Sequence, residues 1–398
     1  MASLSDGRPT AEGGVLRTEV LIVGGGMVGL TLAAALAGAG VTVVVLDREA
    51  AERQQESAFD GRASAIAWGS AQALAGIGLW QAMAPAAEPI LDIRVSDGPS
   101  LLFLDYRHAD VADHALGYIV ENSTIRQCLF AKLATLPSAT VLAPVELASL
   151  ERSRSRVRAR LADGREITAA LAIAADGRNS RLREEAGIAV TAWSYPQTAI
   201  VTTIAHERPH HGIAHERFLP AGPLAFLPMP GKRSSIVWTE HAALAPVLLA
   251  LDDDGFTAEL ARRFGPYLGR LTLAARRFSH PLALLHAARY VDERLVLVGD
   301  AAHAIHPIAG QGLNLGLRDV AALAEVLVDA HRLGLDLGGA DLLARYQRWR
   351  RFDNVALMAA TDALNRLFSN SVPLVRTLRD LGLGVVNELP RLIKGEPL

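Results

Sequence analysis

The chain has 398 residues, of which 50% are hydrophobic and 21% are charged, and its formal net charge is −2. This length exceeds what one compact core usually holds, so we expect two or three subdomains. The near-neutral charge argues against the basic field of a nucleic-acid-binding protein, and no nucleic-acid partner is predicted. Cys128 is the single cysteine, which excludes an intrachain disulfide and favours a reducing, cytoplasmic setting.

The first 17 residues are polar and lack the apolar core of a signal peptide, so residues 1–17 are interpreted as a disordered leader. The stretch Val20–Leu46 carries no charge and is long enough for a transmembrane helix, which needs roughly 20 residues. It contains "GGG", however, and ends in the β-branched run "VTVVVL". These features favour a strand, a glycine turn, a helix and a second strand over a membrane span.

The same stretch predicts a βαβ unit that binds a dinucleotide. A strand over Val20–Val23 leads to a glycine turn and an Ala/Leu-rich helix, and a second strand over Val41–Leu46 ends at Asp47. Glycines in this pattern make the tight turn, admit a pyrophosphate and let helix and strand pack closely; they are Gly24, Gly26 and Gly29. Free N–H groups at the helix start suit phosphates, and Asp47 stands where the adenosine ribose binds. The motif leaves the choice between NAD and FAD open.

Two later segments also place an aspartate where an apolar strand ends. "ALAIAADGRNSRLREEAG" (170–187) ends its strand at Asp176-Gly177 and continues into a basic helix start. "RLVLVGDAAHAIHPIAGQGLNLGLRDV" (294–320) ends its strand at Gly299-Asp300 and continues through a glycine-rich loop into a helix. A nicotinamide dehydrogenase has no evident use for two further turns of this kind. A flavin needs acceptors for its ribityl hydroxyls and N–H donors for its ring, so these segments favour FAD.

Together these motifs resemble the single-component aromatic flavoprotein monooxygenases, the para-hydroxybenzoate hydroxylase-like class. The glycine turn is similar to the ADP-binding motif of the class, Asp176-Gly177 to its DG motif and Gly299-Asp300 to its GD motif. More narrowly, "HPIAGQGLNLGLRDV" (306–320) resembles the signature of the ubiquinone-biosynthesis hydroxylases, the UbiH/UbiF/UbiI and UbiL type. Three further segments resemble the same group: "DGRASAIAWGS" (60–70), "GPLAFLPMP" (222–230) and "ATDALNRLFSN" (360–370).

The resemblance implies a set of FAD contacts. Asp300 would accept hydrogen bonds from the ribityl chain, and the turn Pro307–Gly312 would face the pyrimidine edge of the flavin. The DG motif is associated with both FAD and NAD(P)H. Arg62 and Arg126 would also touch the cofactor, although a surface or interdomain salt bridge is the alternative for each. The full set of expected cofactor-binding residues is Gly24, Gly26, Gly29, Asp47, Arg62, Arg126, Asp176, Asp300, Gly310, Gly312, Leu313 and Asn314.

The resemblance also implies the activity. NAD(P)H or a reduced electron-transfer protein would reduce FAD, and O2 would form a C4a-hydroperoxide that hydroxylates the ring of a polyprenylated phenol in ubiquinone biosynthesis. No catalytic nucleophile and no metal are predicted, because the cofactor carries this chemistry. The alternatives are a monooxygenase for a small soluble aromatic of the phenol or salicylate type, a flavin-dependent epoxidase, and a non-catalytic flavin-binding scaffold.

The predicted fold is α/β, with a Rossmann-like FAD-binding domain, a β-sheet substrate domain and C-terminal helices. The expected boundaries are 18–184 with 281–335 for the FAD-binding domain, 185–280 for the substrate domain and 336–398 for the helical region.

Several other features have interpretations of their own. The histidines of "AHERPHHGIAHERF" (205–218) are assigned to a solvated loop, with a metal site as the alternative. His303 and His306 are assigned to packed histidines bonded to backbone, with a role as proton donors as the alternative. The arginines of "RSRSRVRAR" (152–160) would share one solvated strand face, with an anionic-lipid contact as the alternative.

An apolar stripe over Leu374–Leu392 would pack on its own domain, or contact a membrane surface or a partner. The expected location is therefore cytoplasmic, with an alternative of peripheral contact at the inner face of the membrane. Other ubiquinone-biosynthesis proteins are the expected protein partners.

Overall fold

A computed structural model describes residues 9–12, 14–56, 61–98, 103–111, 113–305 and 310–368. The strands, in chain order, are β1 (Thr10–Glu12), β2 (Val15–Arg17), β3 (Val20–Val23), β4 (Val43–Leu46), β5 (Ala63–Ala67), β6 (Glu88–Ile90), β7 (Asp92–Asp97), β8 (Phe103–Arg107), β9 (Gly117–Glu121), β10 (Ala139–Leu142), β11 (Leu147–Arg152), β12 (Val157–Leu161), β13 (Glu166–Ala169), β14 (Leu171–Ala174), β15 (Val190–His206), β16 (Ile213–Leu219), β17 (Gly222–Met229), β18 (Arg233–His241), β19 (Leu271–Leu273), β20 (Phe278–Ala287), β21 (Val291–Asp292), β22 (Leu295–Leu297) and β23 (His303–Ala304). The α-helices are α1 (Met27–Gly38), α2 (Ala51–Gln54), α3 (Trp68–Gly76), α4 (Trp80–Met83), α5 (His108–Val111), α6 (Asn122–Ala134), α7 (Arg181–Glu185), α8 (Ala245–Leu249), α9 (Asp253–Phe264), α10 (Gln311–Arg332) and α11 (Ala340–Phe368).

The centre of the first domain is a six-stranded sheet in the order β10-β4-β3-β14-β22-β21. All neighbours pair in parallel except β21, which is antiparallel to β22. The inner strands are apolar along their whole length because a parallel sheet is covered on both faces. Helices α1 and α10 pack against each other, and both contribute to this core. The predicted βαβ unit is confirmed, with the second strand beginning at Val43.

A five-stranded sheet, β1-β2-β13-β12-β11, contributes one face to the same core. Strand β12 alternates buried and exposed residues, so its apolar residues point inward and Arg158 and Arg160 point to solvent. The prediction of one strand carrying all five arginines of 152–160 is wrong, because β11 ends at Arg152 and β12 begins at Val157. Residues 10–12 and 15–17 form strands, with β2 pairing in parallel with β13, so the predicted leader differs from the structure over these residues.

A nine-stranded sheet forms the second domain, in the order β23-β20-β15-β18-β17-β16-β7-β8, with β19 also paired to β15. Helices α8 and α9 pack on one face of this sheet around Trp238 and Phe256. The predicted strands between 190 and 280 lie here, but β7 and β8 join the sheet from the part of the chain assigned to the FAD-binding domain. Strand β20 also crosses the expected boundary at residue 281.

A three-stranded sheet, β5-β9-β6, lies between the two domains. Its residues Ala63 and Ala65 pack against a cluster that includes Met229 of the nine-stranded sheet. Helix α11 returns to the first domain, where Leu343 and Tyr346 enter the core. The predicted stripe over Leu374–Leu392 lies outside the described residues. Within the described part of the chain, no helix combines the length and the apolar character that crossing a membrane requires.

Candidate active site

The glycine turn after β3 has a geometry that only glycine tolerates at two positions. Gly24 has φ +110°, and a Cβ there would lie 2.2 Å from the carbonyl oxygen of Ala175. A Cβ on Gly29 would lie 2.0 Å from the carbonyl oxygen of Gly24, because α1 runs close beneath the turn. Gly26 differs, since a Cβ there would meet nothing within 4 Å and would point into open space. Gly24 and Gly29 therefore shape the turn, and Gly26 leaves the space beside the turn open.

That open space is part of a cleft of about 320 Å³ at the carboxyl ends of β3, β4 and β14. Its walls include Gly24, Gly26, Asp47 and Asp176, so the structure brings four of the expected cofactor-binding residues to one place. The carboxyl edge of a parallel sheet, beside the N-terminus of a helix, is where α/β folds bind nucleotides.

Asp47 follows β4 and is fixed by two backbone donors. The N–H of Gly25 donates to Oδ2 at 2.5 Å, and the N–H of Glu49 donates to Oδ1 at 2.7 Å. A carboxylate has about four acceptor positions, so two protein bonds leave capacity for ligand hydroxyls. This arrangement fits the predicted role of Asp47 in binding a ribose.

Asp176 follows β14 and has one unsatisfied oxygen. Its Oδ2 accepts a bond of 3.4 Å from the N–H of Leu182, whereas the buried Oδ1 has no hydrogen-bond partner among the described residues. A buried polar atom without a partner costs about 1–3 kcal/mol. Since Asp176 lines the cleft, a polar group of a bound ligand would satisfy this oxygen. The carboxylate acceptors of the cleft therefore fit a dinucleotide such as FAD.

The second strand-end turn, at Gly299-Asp300, follows β22. Asp300 is exposed, but the protein atoms around its carboxyl group partly desolvate it and raise its pKa. The neighbouring Arg178 and His303 offset only part of this effect. Hydroxyl donors favour the charged form of a carboxylate, so ribityl hydroxyls would stabilise this charge.

The start of α10 supplies the backbone donors. Gly310 is the N-cap residue with φ +62°, and a Cβ on Gly312 would meet nothing within 4 Å. The first N–H groups of a helix that begins at Gln311 lack partners within the helix. The turn residues 306–309, with Pro307 and His306, lie outside the described residues.

Asn314 and Leu313 follow on the same helix turn. The side chain of Asn314 is buried, accepts from the N–H of Ala67 at 2.9 Å and donates to the carbonyl of Ala65 at 2.9 Å. It therefore fixes strand β5 to the helix, while Leu313 packs against the core of the first domain. The expected contacts of Leu313 and Asn314 with the cofactor remain predictions.

Arg62 and Arg126 lie at other places. The guanidinium of Arg62 lies 5.6 Å from the ring centroid of Phe278, which joins the segment before β5 to the nine-stranded sheet. Arg126 of α6 donates to the carbonyl of Gln54 at 2.7 Å and holds helix α2. The predicted cofactor contacts of both residues, and the salt bridges given as the alternative, remain predictions.

Asp319 of α10 is a site residue that the sequence interpretation missed. It is fully buried, and its Oδ2 accepts from the N–H of Gly299 at 3.0 Å and from His303 Nε2 at 2.6 Å. Its Oδ1 accepts from Arg350 Nε at 2.8 Å. Burial raises the pKa of Asp319, but His303 and Arg350 together outweigh it, so the pKa lies below its ordinary value. The available signal was an aspartate on the apolar face of a helix, in "GLRDV".

The histidines differ from their predicted environments. His206 and His210 are buried, and they bond to the carbonyls of Arg208 and Met229 at 2.6 and 2.9 Å, so the prediction of a solvated loop is wrong for both. His303 bonds to the Asp319 carboxylate rather than to backbone. The physical reason is that β15 extends to His206 and buries this end of the segment.

A nucleotide cleft on a parallel sheet, a second strand-end turn beside a helix start, and an adjoining antiparallel sheet define the fold class of flavoprotein monooxygenases. A model of the FAD binding domain family matches residues 17–360. The ubiquinone hydroxylase UbiL of Rhodospirillum rubrum is 52% identical over 401 residues, covering 96% of this chain and 93% of that protein. The 3-demethoxyubiquinol 3-hydroxylase of Escherichia coli is 39% identical, covering 92% and 94%.

Among solved structures, PqsL of P. aeruginosa in complex with 2-aminobenzoylacetate is 26% identical with a TM-score of 0.78, covering 89% of this chain and 97% of that chain. The chain therefore belongs to the FAD-dependent monooxygenase family that includes the ubiquinone-biosynthesis hydroxylases. It is an enzyme that uses FAD, with NAD(P)H or a reduced electron carrier and O2 as co-substrates, and the predicted α/β class is confirmed.

Proposed function

We propose that this enzyme hydroxylates the aromatic ring of a polyprenylated phenol in ubiquinone biosynthesis. The names of its relatives, a ubiquinone hydroxylase and a demethoxyubiquinol hydroxylase, support this substrate class. The observation that carries the proposal is an apolar surface on the nine-stranded sheet, on the face toward β5.

This surface consists of half-buried residues on three neighbouring strands. Val201 pairs with Val237, and Val237 pairs with Ala225, so these three side chains lie in one row on one face. Leu227 lies one row further and packs, like Ala65 of β5, against the cluster that contains Met229. Ala65 also links β5 to the start of α10, because its carbonyl accepts from Asn314 and its Cβ would lie 2.9 Å from a Cβ on Gly310. Apolar residues that keep part of their surface exposed suit a prenylated ring.

The protein groups have separate tasks in this proposal. When bound, FAD reduced by NAD(P)H or an electron carrier activates O2, so that one oxygen atom enters the ring and the other leaves as water. Asp47, Asp176 and Asp300 hold hydroxyl and amide groups of the cofactor at three strand ends. The helix start at Gly310 offers N–H donors and a partial positive charge, which stabilise negative charge on the ring that they face. The apolar row excludes water from the reacting ring.

Quinone profiling of a strain that lacks the gene tests the proposal. The strain should make little ubiquinone and accumulate a prenylphenol that lacks one ring hydroxyl, and the wild-type gene should restore the quinone. Purified enzyme should consume O2 with reductant only when the prenylphenol is present. Normal ubiquinone in a deletion strain without a paralogue, together with fast turnover of a simple hydroxybenzoate, would contradict the proposal.

A further inference from the structure

Helix α11 exposes apolar side chains to solvent. Trp349, Phe352 and Val355 are 47%, 82% and 42% exposed, although a solvent-facing helix side is normally charged or polar. Alanines on the following turns extend the same side. We call this surface the apolar strip; it consists of Trp349, Phe352, Val355, Ala356, Ala359, Ala360 and Ala363.

Three arginines border the strip, and the acidic residues beside it are paired with other groups of the protein. Arg345, Arg348 and Arg351 are exposed at its N-terminal end, and Arg345 lies 3.8 Å from the exposed Glu325. The acidic residues beside the strip are engaged by the protein: Asp353 bonds to Arg350, and Asp362 accepts from the Tyr195 hydroxyl at 2.7 Å. An apolar surface with a basic border results.

The inner side of the same helix turns packs against residues at the start of α10. Met358 and Leu357 contact Ile305 and Leu315, which precede and follow the turn at the start of α10. Since a helix with its side chains is about 10 Å across, the strip lies about one helix diameter from this part of the site. Trp193 of β15 is 37% exposed and lies 6.5 Å from the Tyr195 ring, so it extends the apolar surface onto the second domain.

We propose that the apolar strip and its three arginines seat the enzyme on an anionic phospholipid surface. Aromatic and aliphatic side chains enter the boundary between headgroups and acyl chains, while arginines pair with lipid phosphates. The inference rests on the proposed function, because a prenyl tail is drawn from the same bilayer. It places the membrane contact on α11, upstream of the stripe over Leu374–Leu392 that the sequence indicated.

Vesicle binding by the full-length, FAD-loaded protein tests this inference. Wild-type protein should co-sediment with vesicles of equal parts phosphatidylcholine and phosphatidylglycerol, and much less with phosphatidylcholine alone. Phe352→Glu should lower the partition coefficient at least about tenfold, because a charge replaces the most exposed apolar side chain. Each of Arg345→Gln, Arg348→Gln and Arg351→Gln should lower it by about fivefold, and added salt should weaken binding.

Val247→Glu is the control, because Val247 is also an exposed apolar helix residue, 57% exposed, on α8, which packs on the Trp238 face of the nine-stranded sheet. It should bind vesicles like the wild type. Flavin absorbance and melting temperature report whether each variant is folded, and Trp349→Ser serves as a second strip variant.

Three outcomes would overturn the inference. The first is that wild-type protein does not bind the anionic vesicles, and the second is that folded Phe352→Glu binds them as well as the wild type. The third is a concentration-dependent dimer that Phe352→Glu abolishes, which would assign the strip to a contact with a second copy of the chain. Vesicle binding needs no turnover, so it fails or succeeds independently of the quinone profile that tests the proposed function.

Discussion

At the scale of single residues, Asp319 joins three distant parts of the chain. Its carboxylate accepts bonds from the strand-end turn at Gly299, from His303 and from Arg350 on α11. Removing one member of a buried ion pair leaves the other charge without compensation. The position of Asp300 therefore depends on a carboxylate that need not touch the cofactor itself.

Asp319→Asn should destabilise the protein by about 3–5 kcal/mol, since Arg350 would remain buried beside a neutral amide with a single acceptor oxygen. FAD affinity should also fall, because the turn at Gly299 loses a fixed acceptor. Urea unfolding and FAD titration of the apoprotein measure the two effects. Asp353→Asn is the control: Asp353 also bonds to Arg350, but its side chain is 40% exposed, so the cost should be about 0–1 kcal/mol. Equal losses for the two variants would contradict the assigned role.

Gly26→Val should abolish FAD binding while the apoprotein stays folded. A Cβ at Gly26 contacts no protein atom within 4 Å, so the valine would occupy the cleft instead of disturbing the fold. Flavin content per chain and the melting temperature of the apoprotein measure this. Gly38→Val, at the other end of α1 and equally open, should keep its flavin. Full flavin occupancy in Gly26→Val would show that this cleft is not the cofactor site.

At the scale of elements, the contact between α1 and α10 depends on a missing side chain. A Cβ on Gly316 of α10 would lie 2.6 Å from Val28 Cγ2 on α1. A Cβ on Gly299 would lie 3.3 Å from the Cγ atoms of the same valine. One valine thus fills the space that two glycines leave free. The close approach sets how the first turns of α10 lie against α1.

Gly316→Ala should therefore destabilise the protein by about 1–3 kcal/mol, the usual cost of overpacking. Val28→Ala removes both Cγ atoms and should recover much of that loss in the double variant, although alone it creates a small cavity. Unfolding free energies of the four proteins give the coupling energy between the sites. Additive effects would show that the two side chains do not meet.

Parts of this site could be predicted from local sequence patterns, whereas contacts between distant parts of the chain could not. The glycine turn, Asp47, Asp176 and Asp300 each stand within a few residues of a strand end, so the sequence identifies them. The bond between Asp319 and Arg350 spans 31 residues, and β7 pairs in parallel with β16 more than a hundred residues later. Neither leaves a periodic signal in the sequence. For this reason the pairing of β7 and β8 with the nine-stranded sheet could not be predicted from the sequence.

At the scale of the whole molecule, two histidines make stability depend on pH. Burial, assisted by the Arg94 cation, lowers the pKa of His215 to about 4, and burial with Arg351 lowers the pKa of His286 to about 4. Between about 4 and the ordinary value of 6.5 the unfolded chain binds more protons than the folded protein. The free energy of unfolding must therefore fall as pH falls through this window.

Each histidine should contribute a slope of about 1.4 kcal/mol per pH unit within that window. His215→Asn should remove the contribution of one histidine to this slope. His211→Asn, at an exposed position, should keep the wild-type slope. Urea unfolding at several pH values between about 4 and 6.5 gives the slopes. An unchanged slope in His215→Asn would contradict the buried neutral state of this histidine.

The order of strands in the central sheet also sets when the protein becomes able to hold FAD during its synthesis. Strands β3 and β4 leave the ribosome first, but β14 and β22, which complete the parallel sheet, follow only at residues 171 and 295. At about 5–20 residues per second, the interval between β4 and α10 lasts on the order of tens of seconds. Until β14 is made, the edge of β3 that pairs with it is uncovered. During the whole interval the helix start at Gly310 has not yet been synthesised. Cofactor capture is therefore a late event on the nascent chain, because it waits for β22 and for the start of α10.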